Sequence, residues 1–219
     1  MDKFITWVQQ LDFDSVIQTA LIVCASLLCI TFHETCHGYA AYLLGDPTAK
    51  RAGRLTLNPL RHIDLVGLVM MAVVHFGWAK PVPVDMRYFK KPKQGMALTA
   101  LAGPVSNFVL ALLALLCARL VYHQYGALWD FIFDLLLTTA YLSVGLGLFN
   151  LIPISPLDGS KVLFAFLPDS AYEKLMRYEK YGMIALLILV WLGVGDNVLS
   201  TAIYNVYAAM INFVFRGIV

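Results

Sequence analysis

The sequence predicts an all-α integral membrane protein that crosses the bilayer several times. Of its 219 residues, 60% are hydrophobic and only 14% are charged, whereas a soluble domain carries about 25% charged residues. Apolar runs of about 18 residues or more, long enough to cross the hydrocarbon core, recur along the chain. The net charge of only +2 argues against nucleic acid as a partner.

The first half of the chain contains one clear span and one short apolar segment. The run at about 15–44 predicts a membrane helix that ends at Gly45-Asp46-Pro47, a strong helix stop. Segment 63–78 is at the lower limit of spanning length and is interpreted as re-entrant. Prolines then exclude a helix interior at 80–95, so we expect short extended strands or loops there.

The second half predicts two further spans, at 96–117 and at about 131–152. A proline-punctuated loop, PISPLDGSKVL, follows the second of them. Two more apolar segments, at about 182–194 and 198–215, predict additional membrane helices. Because we find no internal repeat and no flexible linker, we expect residues 1–219 to form a single membrane-embedded domain.

Basic residues cluster in three loops, which fixes the expected orientation. The loops follow the first span, precede the span at 96 and follow the span that ends near 152. Their basic residues are Lys50, Arg51, Arg54, Arg61, Lys80, Arg87, Lys90, Lys91, Lys93, Lys161, Lys174, Arg177 and Lys180. The three loops share one side if 63–78 is re-entrant, and only Lys3 and Arg119 then face the other side. Since basic loops remain in the cytoplasm, we expect the N-terminus outside and these loops inside.

The segment HETCH, residues 33–37, places three ionisable side chains within one turn of the first span. At about 100° per residue, His33 and His37 lie about 40° apart on one helix face. Two imidazoles in this arrangement can bind one zinc ion, and Glu34 can accept a proton from water beside it. The alternative is a buried polar cluster that only packs helices together. Ionisable groups at membrane depth need a partner, which favours the metal site.

Two histidines leave a catalytic zinc site one protein ligand short. The sequence offers His62 and His75 as further imidazoles, while His123 is predicted on the far side of the membrane. Cys36 lies inside the motif but points about 100° away from His37. Asp158 follows a long span and sits among turn-forming residues, where an ordinary Asp-Gly turn is the competing interpretation.

Three motifs together resemble the site-2 protease family of intramembrane zinc metalloproteases. They are HETCH, LAGPVSN at 101–107 and NLIPISPLDGSKVL at 150–163. The resemblance implies that His33, His37 and Asp158 bind one zinc ion and that Glu34 is the catalytic base. It implies a three-helix catalytic core over about 16–165, and the apolar segments beyond it predict membrane helices at about 180–217.

Two further stretches, GRLTLNPLRHID and GWAKPVPV, resemble a compact bacterial subgroup of this family that has no PDZ domain. The chain departs from that subgroup at Leu65, where proline is common, and at Cys36, where alanine is common. Neither position is a ligand in the family. The resemblance places the protein in the inner, or plasma, membrane of a bacterial cell.

Four other residues are candidates for supporting the metal or binding a substrate. Asn107 and Asn150 are amides at membrane depth, which can hydrogen-bond a peptide backbone or join helices. Pro153 and Pro156 break the helix after the span that ends near 152. We therefore expect an endopeptidase that acts on transmembrane or membrane-associated proteins. The alternative function is a non-catalytic membrane protein, either a metal-binding adaptor or an ion-handling protein.

Overall fold

A computed structural model of the chain describes residues 13–64, 67 and 79–217. Helices dominate this part of the chain. They are α1 (Phe13–Leu43), α2 (Thr48–Arg51), α3 (Pro92–Val121), α4 (Ala127–Asn150), α5 (Asp158–Phe164), α6 (Asp169–Trp191) and α7 (Asp196–Val214). Two 3-10 turns, Pro59–Arg61 and Met86–Tyr88, lie in the connections.

Three of these helices are long and apolar enough to cross a membrane. The spans are Ile17–Leu43, Pro92–Val121 and Ala127–Asn150. A fourth candidate is bent by 87° between Tyr181–Trp191 and Asp196–Val214, as in a broken span or a re-entrant loop. The prediction of an all-α polytopic membrane protein is thus confirmed.

The predicted stop after the first span is also confirmed. Helix α1 ends at Leu43, and Gly45 has a φ of +106°, a conformation that glycine adopts without the steric cost met by other residues. Asp46 then turns the chain into α2. Its carboxylate accepts hydrogen bonds from the backbone N–H and the hydroxyl of Thr48.

Small side chains allow α3 to pack closely against its neighbours. A buried core joins α3 to α4 and to the end of α7. It contains Ala111, Ala114, Leu115, Ala118, Ala140, Val144, Val214 and Phe215. Alanines at such contacts let helix backbones approach closely, which favours van der Waals packing between helices in a bilayer. Helix α3 is therefore the central helix and contacts α1, α4, α5 and α7.

Of two predictions for the connection between α1 and α3, one lies mostly outside the described residues and the other is wrong. The re-entrant segment predicted at 63–78 lies mostly outside the described residues. The predicted short strands do not form among the described residues, where the only bridge is an antiparallel one between Ile63 and Ala79. Residues 80–85 are extended, but Pro81 and Pro83 have no N–H with which to continue a ladder.

Candidate metal centre

Three predicted ligands meet at the centre of the helix bundle. His33 and His37 lie one turn apart on α1, and Asp158 is the first residue of α5. The Oδ2 atom of Asp158 is 3.1 Å from each histidine Nε2, and the two Nε2 atoms are 3.0 Å apart. Within the described part of the chain, this is the group of metal-binding side chains that could hold an ion.

The donor set fits zinc in both chemistry and size. Zinc binds imidazole nitrogen and carboxylate oxygen at about 2.0–2.2 Å, so the ligand atoms of a tetrahedral site lie roughly 3.4 Å apart. The three atoms at 3.0–3.1 Å would need to separate by only about 0.3 Å. All three residues are at least 92% buried. Such a cluster of lone pairs requires a cation or protons to be stable away from water.

Helix α3 supports both histidines from behind. The Nδ1–H of His37 donates to the carbonyl oxygen of Thr99 at 2.7 Å. This bond places the proton on Nδ1 and leaves Nε2 free to bind an ion. The side-chain amide of Asn107 lies 3.2 Å from Nδ1 of His33. The predicted supporting position of Asn107 therefore lies directly against a candidate ligand.

A tight loop returns Asp158 to the histidines after α4 ends at Asn150. Gly159 makes this return possible, because a Cβ atom there would overlap the carbonyl groups of Leu151 and Ile152. Burial by itself would raise the pKa of Asp158, but hydrogen bonds with His33 and His37 hold its pKa below the usual range. Asp158 is thus an anionic partner at neutral pH.

Glu34 lies beside the three candidate ligands and is held by the extended segment 80–85. Its Oε2 atom accepts a hydrogen bond from the backbone N–H of Val82 at 2.9 Å. Among the described residues the structure records no partner for Oε1. One carboxylate oxygen is therefore anchored, and the other is available to a water or a substrate.

Two buried charged residues hold segment 80–85 in place. The guanidinium of Arg54 donates to the carbonyl oxygens of Lys80 at 2.5 Å and Pro81 at 3.2 Å. At the other end, Oδ2 of Asp46 accepts from the backbone N–H of Asp85 at 2.7 Å. Val82 lies between these two anchors, so both of them fix the N–H group that orients Glu34.

Four residues that shape the site are not among the predicted site residues: Asp46, Arg54, Thr99 and Gly103, at which a Cβ atom would overlap the imidazoles of His33 and His37. Asp46 was interpreted only as part of a helix stop and Arg54 only as a basic loop residue. The burial of Arg54, which is 7% exposed, is evident only in the structure, and the sequence shows just one arginine among several in a basic loop. Thr99 acts through its backbone and leaves no sequence signal.

Of the three other residues predicted to support the metal or bind a substrate, two lie beside Glu34 and one does not. Pro156 and Asn150 line both cavities that adjoin Glu34. The amide nitrogen of Asn150 donates to the carbonyl oxygen of Leu146 at 3.0 Å, so its other amide atom is the one left for a ligand. Pro153 is exposed and lines neither cavity.

The alternative ligands lie elsewhere. His62 places Nε2 2.9 Å from the carbonyl oxygen of Thr56 and anchors the loop before it. In the same loop, Asp64, which was not among those candidates, accepts a hydrogen bond from the backbone N–H of Gly67 at 2.9 Å. Cys36 is half-buried and does not belong to the three-residue group. His75 lies outside the described residues.

Comparison with known proteins identifies the family. The model of peptidase family M50 matches residues 116–193, a stretch that includes Asp158. A protein of Bacillus subtilis named "Putative zinc metalloprotease YwhC" is 40% identical over 183 residues, covering 81% of this chain and 83% of the relative. The chain belongs to peptidase family M50. The predicted resemblance to site-2 proteases, the M50 type of membrane metalloprotease, is thereby confirmed.

Two other relatives are also named zinc metalloproteases. A protein of Mycobacterium tuberculosis named "Putative zinc metalloprotease Rip2" is 28% identical over 174 residues, covering 77% of this chain and 66% of the relative. "Zinc metalloprotease MJ0392" of Methanocaldococcus jannaschii is 33% identical over 78 residues, which are 36% of this chain and 22% of the relative. No solved structure matches the chain. Membership of M50 implies zinc as the metal, which agrees with the donor set found here.

Proposed function

We propose that this M50 protein is an intramembrane zinc metalloendopeptidase. In this proposal His33, His37 and Asp158 hold one zinc ion per chain, and Glu34 is the catalytic base. The observation that supports it most directly is the triangle of Nε2, Nε2 and Oδ2 atoms with sides of 3.0–3.1 Å. A metal-binding protein without catalysis would need that triangle, but it would not need Glu34 beside it.

The division of labour follows from the positions of the side chains. A bound zinc ion supplies a Lewis acid that polarises a peptide carbonyl and acidifies water. Glu34 takes the proton from the attacking water at its unanchored Oε1 and delivers it to the leaving amine. The Val82 N–H on Oε2 keeps the carboxylate from rotating away during this transfer. His37 is fixed by Thr99 and His33 lies against Asn107.

The substrate in this proposal is a transmembrane or membrane-associated protein. A helix has no free backbone groups in its interior, so the substrate must unwind locally before its carbonyl reaches the site. Extended segment 80–85 and the loop containing Pro153 and Pro156 offer backbone groups with which an unwound chain can pair. Asn150 lies beside that loop and can bind a substrate carbonyl through its amide.

The cellular setting is proposed from the charge distribution and the bacterial relatives. The protein lies in the lipid bilayer of a bacterial inner membrane, with its N-terminus outside and its catalytic loops toward the cytoplasm. Cleavage of membrane proteins from that side is suited to regulated intramembrane proteolysis, in which a membrane-held domain is released.

Purified protein provides the test. Zinc is measured by elemental analysis, and cleavage is measured on a library of single-span peptides, for the parent and for Glu34→Gln. We expect about one zinc per chain in both proteins and cleavage by the parent alone, because an amide cannot accept the proton. Near-parental turnover by Glu34→Gln would refute the assignment of the base. Zinc without any cleavage by the parent would favour the metal-binding adaptor.

A further inference from the structure

Two cavities meet at the proposed catalytic residues. One has a volume of about 260 Å³ and the other of about 320 Å³. His33, Glu34, Asn150 and Pro156 line both. The reacting groups therefore stand at a junction between two spaces and not at the end of a single pocket. A peptide that passes Glu34 would place one flank in each cavity.

The cavity of about 260 Å³ is a mainly apolar slot at mid-membrane depth. Most of its wall consists of aliphatic and aromatic side chains from α1, α4 and α6, and Thr31, His62 and Asp64 add polar groups. The apolar side chains include Leu27, Ile30, Leu146, Phe149, Met183 and Leu186. From Glu34 the slot runs along α1 to Leu27, about 10 Å deeper. Since Leu27 and Ile30 lie near the middle of the span Ile17–Leu43, the slot points toward the centre of the bilayer.

The cavity of about 320 Å³ is a more polar chamber at the other side of the junction. Asp158, His37 and Lys161 line it, together with Thr99 and the extended residue Val82. It lies between the end of α1, the start of α3 and the start of α5. The chamber therefore opens toward the membrane surface at which these helix ends meet.

The size of the slot limits what can enter it. A cavity of about 260 Å³ lies just below the usual range of about 300–1,000 Å³ for small-molecule sites, which is small for a helix about 10–12 Å in diameter. The slot can hold one or two large side chains of an unwound chain. A charged side chain is disfavoured, because most of the wall is apolar and the charge would lose its hydration there.

On the basis of the function proposed above, we propose that the protein cleaves where an apolar segment of the substrate gives way to a polar one. A side chain of leucine or phenylalanine size next to the scissile bond enters the apolar slot. Polar residues on the other flank lie in the chamber beside Lys161. The boundary between membrane and juxtamembrane sequence thus selects the bond, rather than a fixed sequence around it.

The decisive test uses the parent protein and a matched series of single-span peptides. The boundary between apolar and polar sequence is moved in steps of three residues, while peptide length and the total composition stay constant. Mass spectrometry of the products locates each cleaved bond. We expect the cleaved bond to move with the boundary. A bond that keeps its distance from one peptide end, or that lies in the middle of the apolar stretch, would overturn the proposal.

A change in the slot provides the second test. Leu146→Trp fills the slot and should lower kcat/KM at least about 10-fold more for peptides with leucine or phenylalanine next to the bond than for alanine peptides. Leu146→Ala enlarges the slot and should increase the preference for leucine or phenylalanine peptides over alanine peptides. This variant provides the test if Leu146→Trp does not fold. Leu113→Trp, on an exposed face of α3, is the matched control.

The outcomes separate the two proposals. If the parent cleaves peptides but Leu146 variants treat large and small residues alike, the slot assignment is wrong and the proposed function stands. If the parent cleaves no peptide and does not differ from Glu34→Gln, the proposed function fails and this inference fails with it.

Discussion

Gly103 of α3 lies directly against His37 of α1. A Cβ atom at position 103 would overlap Nε2 and Cε1 of His37 and Cε1 of His33. Real side chains do not approach so closely, so only glycine lets α3 pack at this distance from the histidines. Glycine in a helix costs about 1 kcal/mol relative to alanine. Gly103 thus lowers the helix propensity of α3 at the position where α3 contacts both candidate ligands.

Gly103→Ala should therefore weaken zinc binding by at least about 10-fold, because both imidazoles must move. Competition with a chelator of known affinity measures the change. Gly145→Ala on α4 is the matched control, since its new Cβ would meet Ile203 at an ordinary 3.5 Å. Parental zinc affinity in Gly103→Ala would show that α3 can withdraw without disturbing the site.

The sequence predicted the features that depend on local pattern. The one-turn spacing of His33 and His37 placed them on one face, and the apolar runs located the three spans. The helices nevertheless begin earlier than the apolar runs indicate. Helix α3 starts at Pro92, where a proline in the first turn loses no hydrogen bond. Helix α6 starts at Asp169, so the charged stretch before the apolar segment is part of the same helix.

The features that depend on which helices meet could not be predicted in the same way. Gly103 matters because of the register between α1 and α3, and no spacing within either helix encodes that register. Arg54 and Asp46 act on residues 26 to 39 positions away in the chain. Asp158 could be predicted as a ligand only because the sequence around it resembles a family motif. An aspartate in a turn is common and does not by itself indicate a metal site.

Asp158→Asn should reduce zinc affinity by at least about 100-fold while leaving the fold intact. The amide has the size of the carboxylate but lacks the negative charge that binds the cation, and loss of even a supporting partner costs about 10- to 100-fold. Zinc competition and thermal unfolding in detergent are the measurements. Asp134→Asn, at an exposed position of α4, should change neither. Unchanged affinity in Asp158→Asn would place the third ligand outside the group described here.

Asn107 is predicted to set the tautomer of His33. Its Oδ1 atom is buried without a partner, although Nδ2 lies 3.2 Å from Nδ1 of His33. Because amide nitrogen and oxygen are assigned from their surroundings, the reversed amide is the one compatible with metal binding. Oδ1 then accepts from Nδ1–H and leaves Nε2 free. Asn107→Leu should weaken zinc binding about 10- to 100-fold.

Two further variants distinguish this role from simple packing. Asn107→Asp retains the acceptor and should restore most of the zinc affinity that Asn107→Leu loses. Asn205→Leu, at an exposed position of α7, should bind zinc as the parent does. Equal losses in Asn107→Leu and Asn107→Asp would mean that shape, and not the hydrogen bond, matters at this position.

Labelling tests the proposed orientation of the loops 45–61, 80–95 and 153–180. Helix α1 ends and α3 begins at the same end of the bundle, since His37 contacts Thr99. On a background without the four native cysteines, Lys91→Cys should resist an impermeant thiol reagent added to intact cells. Tyr125→Cys, 88% exposed in the turn between α3 and α4, should react. The reverse pattern would place the N-terminus in the cytoplasm.

Arg54→Leu should lower kcat on a cleavable peptide by about 10- to 100-fold without removing zinc. The guanidinium binds the carbonyl oxygens of Lys80 and Pro81, so its loss frees the segment whose Val82 N–H orients Glu34. A displacement of about 1 Å in a catalytic group costs up to about 100-fold in rate. Arg54→Lys should recover only part of the loss, because an ammonium does not hold two N–H groups in the fixed plane from which Nη2 of Arg54 donates to both carbonyl groups. Arg51→Leu, which removes an exposed partner of Tyr88, should cleave at the parental rate. If Arg54→Leu also cleaves at the parental rate, Glu34 is oriented without this anchor.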